Sequence, residues 1–162
     1  MKPASKKIEP SHELATRKAI SFFFLIAILI FALDHLFKLI LVKKGCFLFM
    51  CLKMVTNTGA AFSIFAGMPW ARILLIVIGI IVLIVVAYFY FKHHKNTLLK
   101  VSLALIFAGT ISNLLDRIFL KYVIDYFSFS FWPTFSTFNL ADVSNLAGVI
   151  ILIIFLLKTN KK

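Results

Sequence analysis

The stretch Ala71-Arg-Ile-Leu-Leu-Ile-Val-Ile-Gly-Ile-Ile-Val-Leu-Ile-Val-Val-Ala-Tyr-Phe-Tyr-Phe91 carries no charge after Arg72. A helix needs about 20 mostly apolar residues to cross a bilayer, and this run has that length. Apolar residues occupy every side of such a helix, so it has no face to turn to water. Three more stretches qualify: about 19–42, which contains Asp34 and Lys38; about 97–115; and about 138–157, which contains Asp142 near its start. The pattern predicts a mostly α, integral membrane fold, one polytopic domain over residues 1–162 with four transmembrane helices. Composition agrees, because 62% of the residues are hydrophobic and 15% are charged, too little polar surface for a soluble domain of this length.

The first span has a basic lead, as signal peptides do. No small-x-small cleavage site precedes Asp34 and three spans follow, so it reads as an uncleaved span. Residues 1–18 are polar and are expected to form a mobile cytoplasmic tail. Lysine and arginine orient the chain. Lys2, Lys6, Lys7, Arg17, Lys18, Lys92, Lys95, Lys100, Lys158, Lys161 and Lys162 fall on one side. Lys43, Lys44, Lys53, Arg72, Arg117 and Lys121 fall on the other, over longer loops. The positive-inside rule then places both termini in the cytoplasm and the long loops outside.

The net charge of +12 could suggest a nucleic-acid partner. The basic residues cluster at span ends rather than along one face, so topology and anionic headgroups explain them and nucleic acid is excluded. His12, His35, His93 and His94 form no HExxH-like pattern, so no metal site is expected. Cys46 and Cys51 match no zinc or redox spacing. They could pair outside the cytoplasm, but the favoured reading is two small apolar side chains at the interface.

The outer segments are the elaborate ones. Residues 43–70 contain an apolar stretch, Phe47–Val55, and then Asn57–Phe65. Residues 121–137 include Phe127-Ser-Phe-Ser-Phe-Trp132, whose period-two alternation predicts a short strand with one apolar face. Trp70, Trp132 and the phenylalanines form either an aromatic belt at headgroup level or a surface that grips a lipid-bearing substrate.

Only six residues are acidic. Glu9 and Glu13 lie in the tail; Asp34, Asp116, Asp125 and Asp142 all fall near the outer face. A charge at the bilayer centre costs about 2.5–3.5 kcal/mol on the insertion scale, so these side chains must face inward and find partners. Asp34 and Lys38 are spaced i,i+4 with the acid first, the favourable order. Gly109, Asn113, Asp116 and Arg117 share one face of the third span, with Gly109 allowing close helix approach. Asn139 and Asp142 share one face of the fourth. Packing ion pairs account for Asp34 with Lys38 and Asp116 with Arg117. Asp125 and Asp142 have no basic residue within three positions. Two unpaired carboxylates held together share a proton, as in aspartic proteases. Spacing alone leaves a catalytic dyad, a proton relay and a structural role open.

Five blocks in order give a resemblance. They are Asp34-x-x-x-Lys38, Asn57-Thr-Gly59-Ala-Ala-Phe-Ser63, Gly109-x-x-x-Asn113-x-x-Asp116-Arg117, Val123-Ile-Asp125-Tyr-Phe127 and Phe138-Asn139-x-Ala141-Asp142. The chain resembles the bacterial lipoprotein signal peptidase (signal peptidase II) family over nearly all of residues 34–148. The resemblance implies that Asp125 and Asp142 are the catalytic pair of an aspartic endopeptidase. It implies that Asp34, Lys38, Asn57, Gly59, Gly109, Asn113, Asp116, Arg117, Asn139 and Ala141 support or bind in the site. It also implies a small extracytoplasmic β-cradle and an interfacial helix within residues 43–70. The substrate would be a prolipoprotein bearing diacylglyceryl-cysteine, cut just before that cysteine, in the bacterial inner membrane. No cofactor is implied, membrane lipid is the surrounding partner, and a monomer is expected.

Four positions depart from the family pattern. Ala108 and Ser112 stand where glycines are usual, Lys121 stands where glycine is common before the fourth block, and Asn145 replaces a usually apolar residue. Rival readings remain: a Ser/Lys protease using Ser63 and Lys38, a proton-coupled transporter, and a structural membrane subunit.

Overall fold

The computed structural model describes residues 10–40, 45–47, 50–93, 96–132 and 134–159. Residues 1–9 of the expected tail, the expected end of the first span at 41–42, and Lys43, Lys44, His94, Lys95, Lys161 and Lys162 lie outside them.

Four helices are long and apolar enough to cross a membrane: α1 (Pro10–Ile40), α2 (Ala71–His93), α3 (Thr97–Phe119) and α4 (Leu140–Thr159). Helix α1 begins at Pro10, so residues 10–18, expected as tail, continue the first helix instead. Helix α3 runs to Phe119, which carries Asp116 and Arg117 inside a regular turn.

Helix α3 packs against all three others. In its apolar window 56% of the residues are buried, against 11–17% for α1, α2 and α4; the outer three face lipid. The sequence of α3 explains its central place. Ala104, Ala108 and Ser112 recur at i, i+4 and i+8 and are fully buried, a small-residue stripe that lets helices approach closely without a hydrophobic drive between them. Ala108 and Ser112 thus keep the function a glycine would serve in that stripe. Phe23 of α1, Val86 and Tyr90 of α2 and Leu99, Leu103, Ala104 and Ile106 of α3 form the apolar core away from the polar end.

Outside the helices lies a three-stranded antiparallel sheet in the order β1-β2-β3: β1 (Gly45–Phe47), β2 (Met50–Asn57) and β3 (Val123–Phe129). A register shift between Leu52 and Val55 bends β2. The strand expected from the Phe/Ser alternation is present but starts earlier, at Val123, so that Asp125 sits within it. In place of the expected interfacial helix in residues 43–70 there is, among the described residues, one short 3-10 turn, η1 (Ala61–Ser63).

The β1–β2 register sets Cys46 opposite Cys51. Cys51 is disulfide-bonded, which corrects its reading as a plain apolar side chain; the side chain of Cys46 lies outside the described residues.

Candidate active site

The polar ends of α1, α3 and α4 meet the sheet at one end of the bundle. Two linked clusters form there.

The first is centred on Lys38, which is buried among acids. Its Nζ lies 2.5 Å from Asp34 and 2.8 Å from Asp116. The sequence suggests Arg117 as the partner of Asp116, because the two are neighbours. Neighbours on a helix point about 100° apart and do not face each other, so Asp116 takes Lys38 from α1 instead. Asp34 is fully buried and saturated: it accepts from Ser112 Oγ (2.6 Å), Tyr126 Oη (2.9 Å) and the Ala141 amide (3.2 Å). That last bond ties α1 to the first turn of α4. Asp116 also accepts from the Ile124 amide at 3.3 Å, which anchors β3 to α3.

The second cluster holds Asp125 and Asp142. Phe138 pairs with Phe127 of β3, its amide donating to the Phe127 carbonyl at 2.9 Å and its carbonyl accepting from the Phe127 amide at 2.8 Å. This folds the chain back so that Asn139, the next residue, starts α4 beside β3. Asn139 and Asp142 then form a reciprocal capping box. The Asn139 side-chain oxygen accepts from the Asp142 amide at 2.8 Å, and Asp142 Oδ2 accepts from the Asn139 amide at 3.1 Å. With its oxygen used on the helix, Asn139 turns its Nδ2 toward Asp125 Oδ1 (2.8 Å) and Asn113 Oδ1 (3.1 Å). Asn113 in turn donates to Asp142 Oδ1 at 2.8 Å. Asn57 donates to Asp125 Oδ2 at 3.1 Å.

The two carboxylates are therefore linked through Asn139 and held by neutral amides, while Lys38 is taken by Asp34 and Asp116. Burial pushes Asp125 up to about 7 and the nearby charge of Asp142 adds to this; hydrogen bonds from Asn57 and Asn139 oppose it. Burial raises the Tyr126 phenol further still, so it stays a donor to Asp34.

Arg117 reaches carbonyls: Asn113 O at 3.1 Å and Gly59 O at 3.0 Å. It pins the Asn57–Ser63 loop to α3. Gly59 has no room for a side chain, since a Cβ would strike the Ile64 carbonyl and come within 2.8 Å of the Ala66 amide. At Gly109 a Cβ would run into the Ala141 carbonyl, so glycine there sets the α3–α4 spacing at the level of the acids. Ala141 contributes through its backbone at both contacts.

The residues singled out from the sequence thus converge on one end of the bundle or set its helix spacing. Sequence reasoning misses Tyr126 and Ser112 as members. Tyr126 follows Asp125 in the same block, and strand alternation sends the two side chains to opposite faces, so Tyr126 reaches Asp34. Nothing in its spacing signals this. Among the described residues, no three His, Cys, Asp or Glu side chains gather into a group that could hold a metal. Of the rival pair, Ser63 sits on an exposed turn while Lys38 is buried in its ion pairs.

The fold and this cluster define a class: a small multi-pass membrane protein whose elaborated end carries two amide-held carboxylates. Comparison with known proteins narrows it. The family model described as Signal peptidase (SPase) II matches residues 26–158. A lipoprotein signal peptidase of Halothermothrix orenii is 34% identical, covering 85% of this chain and 97% of that protein. One of Clostridium tetani is 39% identical over 75% of this chain and 76% of its own. A bacterial membrane enzyme solved by the in meso method at 2.3 Å resolution superposes with a TM-score of 0.80 at 33% identity, covering 88% of this chain and 93% of that one. The chain belongs to the signal peptidase II family. Membership makes it a multi-pass membrane protease and implies signal-peptide removal from prolipoproteins.

Proposed function

We propose that the protein is an aspartic endopeptidase that cuts diacylglyceryl-modified prolipoproteins just before the modified cysteine. The observation that carries this is the Asn139 bridge: one side chain caps the helix bearing Asp142 and donates to Asp125. Two carboxylates joined through one side chain, with amides rather than cations as their side-chain hydrogen-bond donors, are suited to share one proton and one water.

Asp142 lies in the first turn of α4, where the positive end of the helix dipole and the Asn139 amide face it. Asp125, raised to about 7, is the better holder of the proton. Asp142 takes a proton from water as the oxygen attacks the scissile carbonyl. Asp125 gives its proton to the carbonyl oxygen. As the tetrahedral intermediate collapses the roles exchange, and the proton now on Asp142 goes to the leaving amine. Asn113, Asn139 and Asn57 hold the acids, and Arg117 with Gly59 shapes the loop over them. Asp34, Lys38 and Asp116 brace α1, α3, α4 and β3 as a charged scaffold. Phe62, Phe131 and Trp132 are exposed, and Phe135 packs edge-on against Phe62 and at a tilt against Trp132. This aromatic group suits the lipid of the substrate.

The orientation proposed has both termini in the cytoplasm and the site near the outer face. It rests on the lysine and arginine distribution and is supported by the disulfide-bonded Cys51, because disulfides persist outside the reducing cytoplasm. We propose that a single chain is the working unit. Asp125→Asn and Asp142→Asn should each abolish precursor processing in vesicles while Ser63→Ala leaves it in place. Normal processing by either aspartate variant ends this reading, and proton flux without cleavage would point to a transporter.

A further inference from the structure

A cavity of about 200 Å³ opens between α2, α3 and the turn after Gly59. Its walls include Leu75, Ile78 and Val82 of α2 and Leu114 of α3. At its deep end stand two polar side chains, Thr110 and Asn145, which no part of the mechanism uses. Thr110 Oγ1 donates to Asn145 Oδ1 at 3.2 Å. That bond fixes the amide, and Asn145 Nδ2 makes no other hydrogen bond among the described residues. Arg117 also borders the cavity, and its buried Nε has no hydrogen-bond partner among the described residues. An apolar-walled cavity with unused donors at both ends is incomplete without an occupant that brings acceptors.

Its position says what the occupant is. Thr110 lies three residues before Asn113 on α3, and Asn145 lies three residues after Asp142 on α4. Both sites are therefore about 4.5 Å deeper in the membrane than the residues around the acids. An extended peptide advances about 3.3 Å per residue, and the signal peptide enters the membrane on the upstream side of the cut. The deep end falls one or two residues upstream of the scissile bond.

We propose that this cavity is a subsite for a side chain one or two positions before the cut, and that Thr110 and Asn145 make it prefer serine over alanine. It presupposes the peptidase activity proposed above. A serine hydroxyl both donates and accepts, so it can take the free Asn145 N–H and complete the pair; alanine leaves that donor unpaired.

The test uses purified protein in lipid and diacylglyceryl-cysteine peptides that carry Ser or Ala at each of the two upstream positions. Wild type should favour Ser at one of them by about tenfold in kcat/KM, carried by KM, as one added hydrogen bond predicts. Asn145→Leu should bring the ratio close to one. Thr110→Val, which keeps the shape and removes the hydroxyl that fixes the amide, should lower it, so the proposal stays falsifiable if the first variant folds poorly. Equal cleavage of all peptides by wild type, or a Ser preference that persists in both variants, overturns the subsite alone. Wild type that cuts none of them overturns the peptidase reading itself.

Discussion

At the scale of single residues, the site separates charge that is neutralised from charge that is not. Lys38 serves two carboxylates at once. Removing one member of a buried ion cluster leaves the others unpaired, which costs about 3–5 kcal/mol. Lys38→Met should lower thermal stability in detergent by that order, and a variant as stable as wild type would show the cluster to be dispensable. Asp125 follows the opposite logic. Its ordinary value of 3.8 is raised to about 7, so the folded protein holds that proton more tightly than the unfolded chain does. Its contribution to stability is therefore present at low pH and is lost as pH rises from about 3.8 to about 7. In the folded protein the proton needed on the dyad leaves at the upper end of that range, around 7. A pH–rate profile of peptide cleavage should fall above about 7, reporting the pair rather than either acid alone; a rate that stays flat well into the alkaline range would contradict a shared-proton dyad.

Helices, strands and turns show how local sequence aims those residues. The capping box Asn139-Leu-Ala-Asp142 starts α4 and fixes Asp142 with one motif. Asn139→Ala loses both the cap and the bridge to Asp125. It should cost about 1 kcal/mol of stability and most of the activity; full activity in that variant would separate capping from catalysis. At the other end of α3, Leu120 and Lys121 both donate to the Asp116 carbonyl, and Lys121 has φ +73°. A left-handed residue just past a helix end is the place for glycine. The lysine keeps the turn with strain. Lys121→Gly should raise stability by roughly 1 kcal/mol, read as a higher Tm; a lower Tm would mean the lysine side chain compensates. Ser112 is the contrary case, because the departure from glycine adds a 2.6 Å hydrogen bond to Asp34.

For the molecule as a whole, four apolar rods leave their polar groups only one place to meet. Helix α3 is wrapped by the other three, and its small stripe and Gly109 bring the backbones close enough for short side chains such as Asp and Asn to touch across helices. Gly109→Leu should wedge α3 from α4, break the Asn113–Asp142 contact and abolish cleavage with the protein still in the membrane. Retained cleavage would show that helix spacing does not set the dyad.

The sequence by itself determined the four spans, because a run of apolar residues is a local property that the bilayer reads directly. It also determined which acids lacked a basic neighbour, because helical spacing is local too. Strand β3 was announced by its Phe/Ser alternation, but β1 and β2 within residues 43–70 were legible only as loop, since β2 is fixed by pairing with β3 across a long separation that no periodicity marks. The ion-pair partner of Asp116, the bridge made by Asn139 and the part played by Tyr126 were decided by tertiary structure alone. Each depends on which faces of α1, α3, α4 and β3 meet. That is settled by Gly109, the small stripe of α3 and the return of the chain at Phe138, acting together.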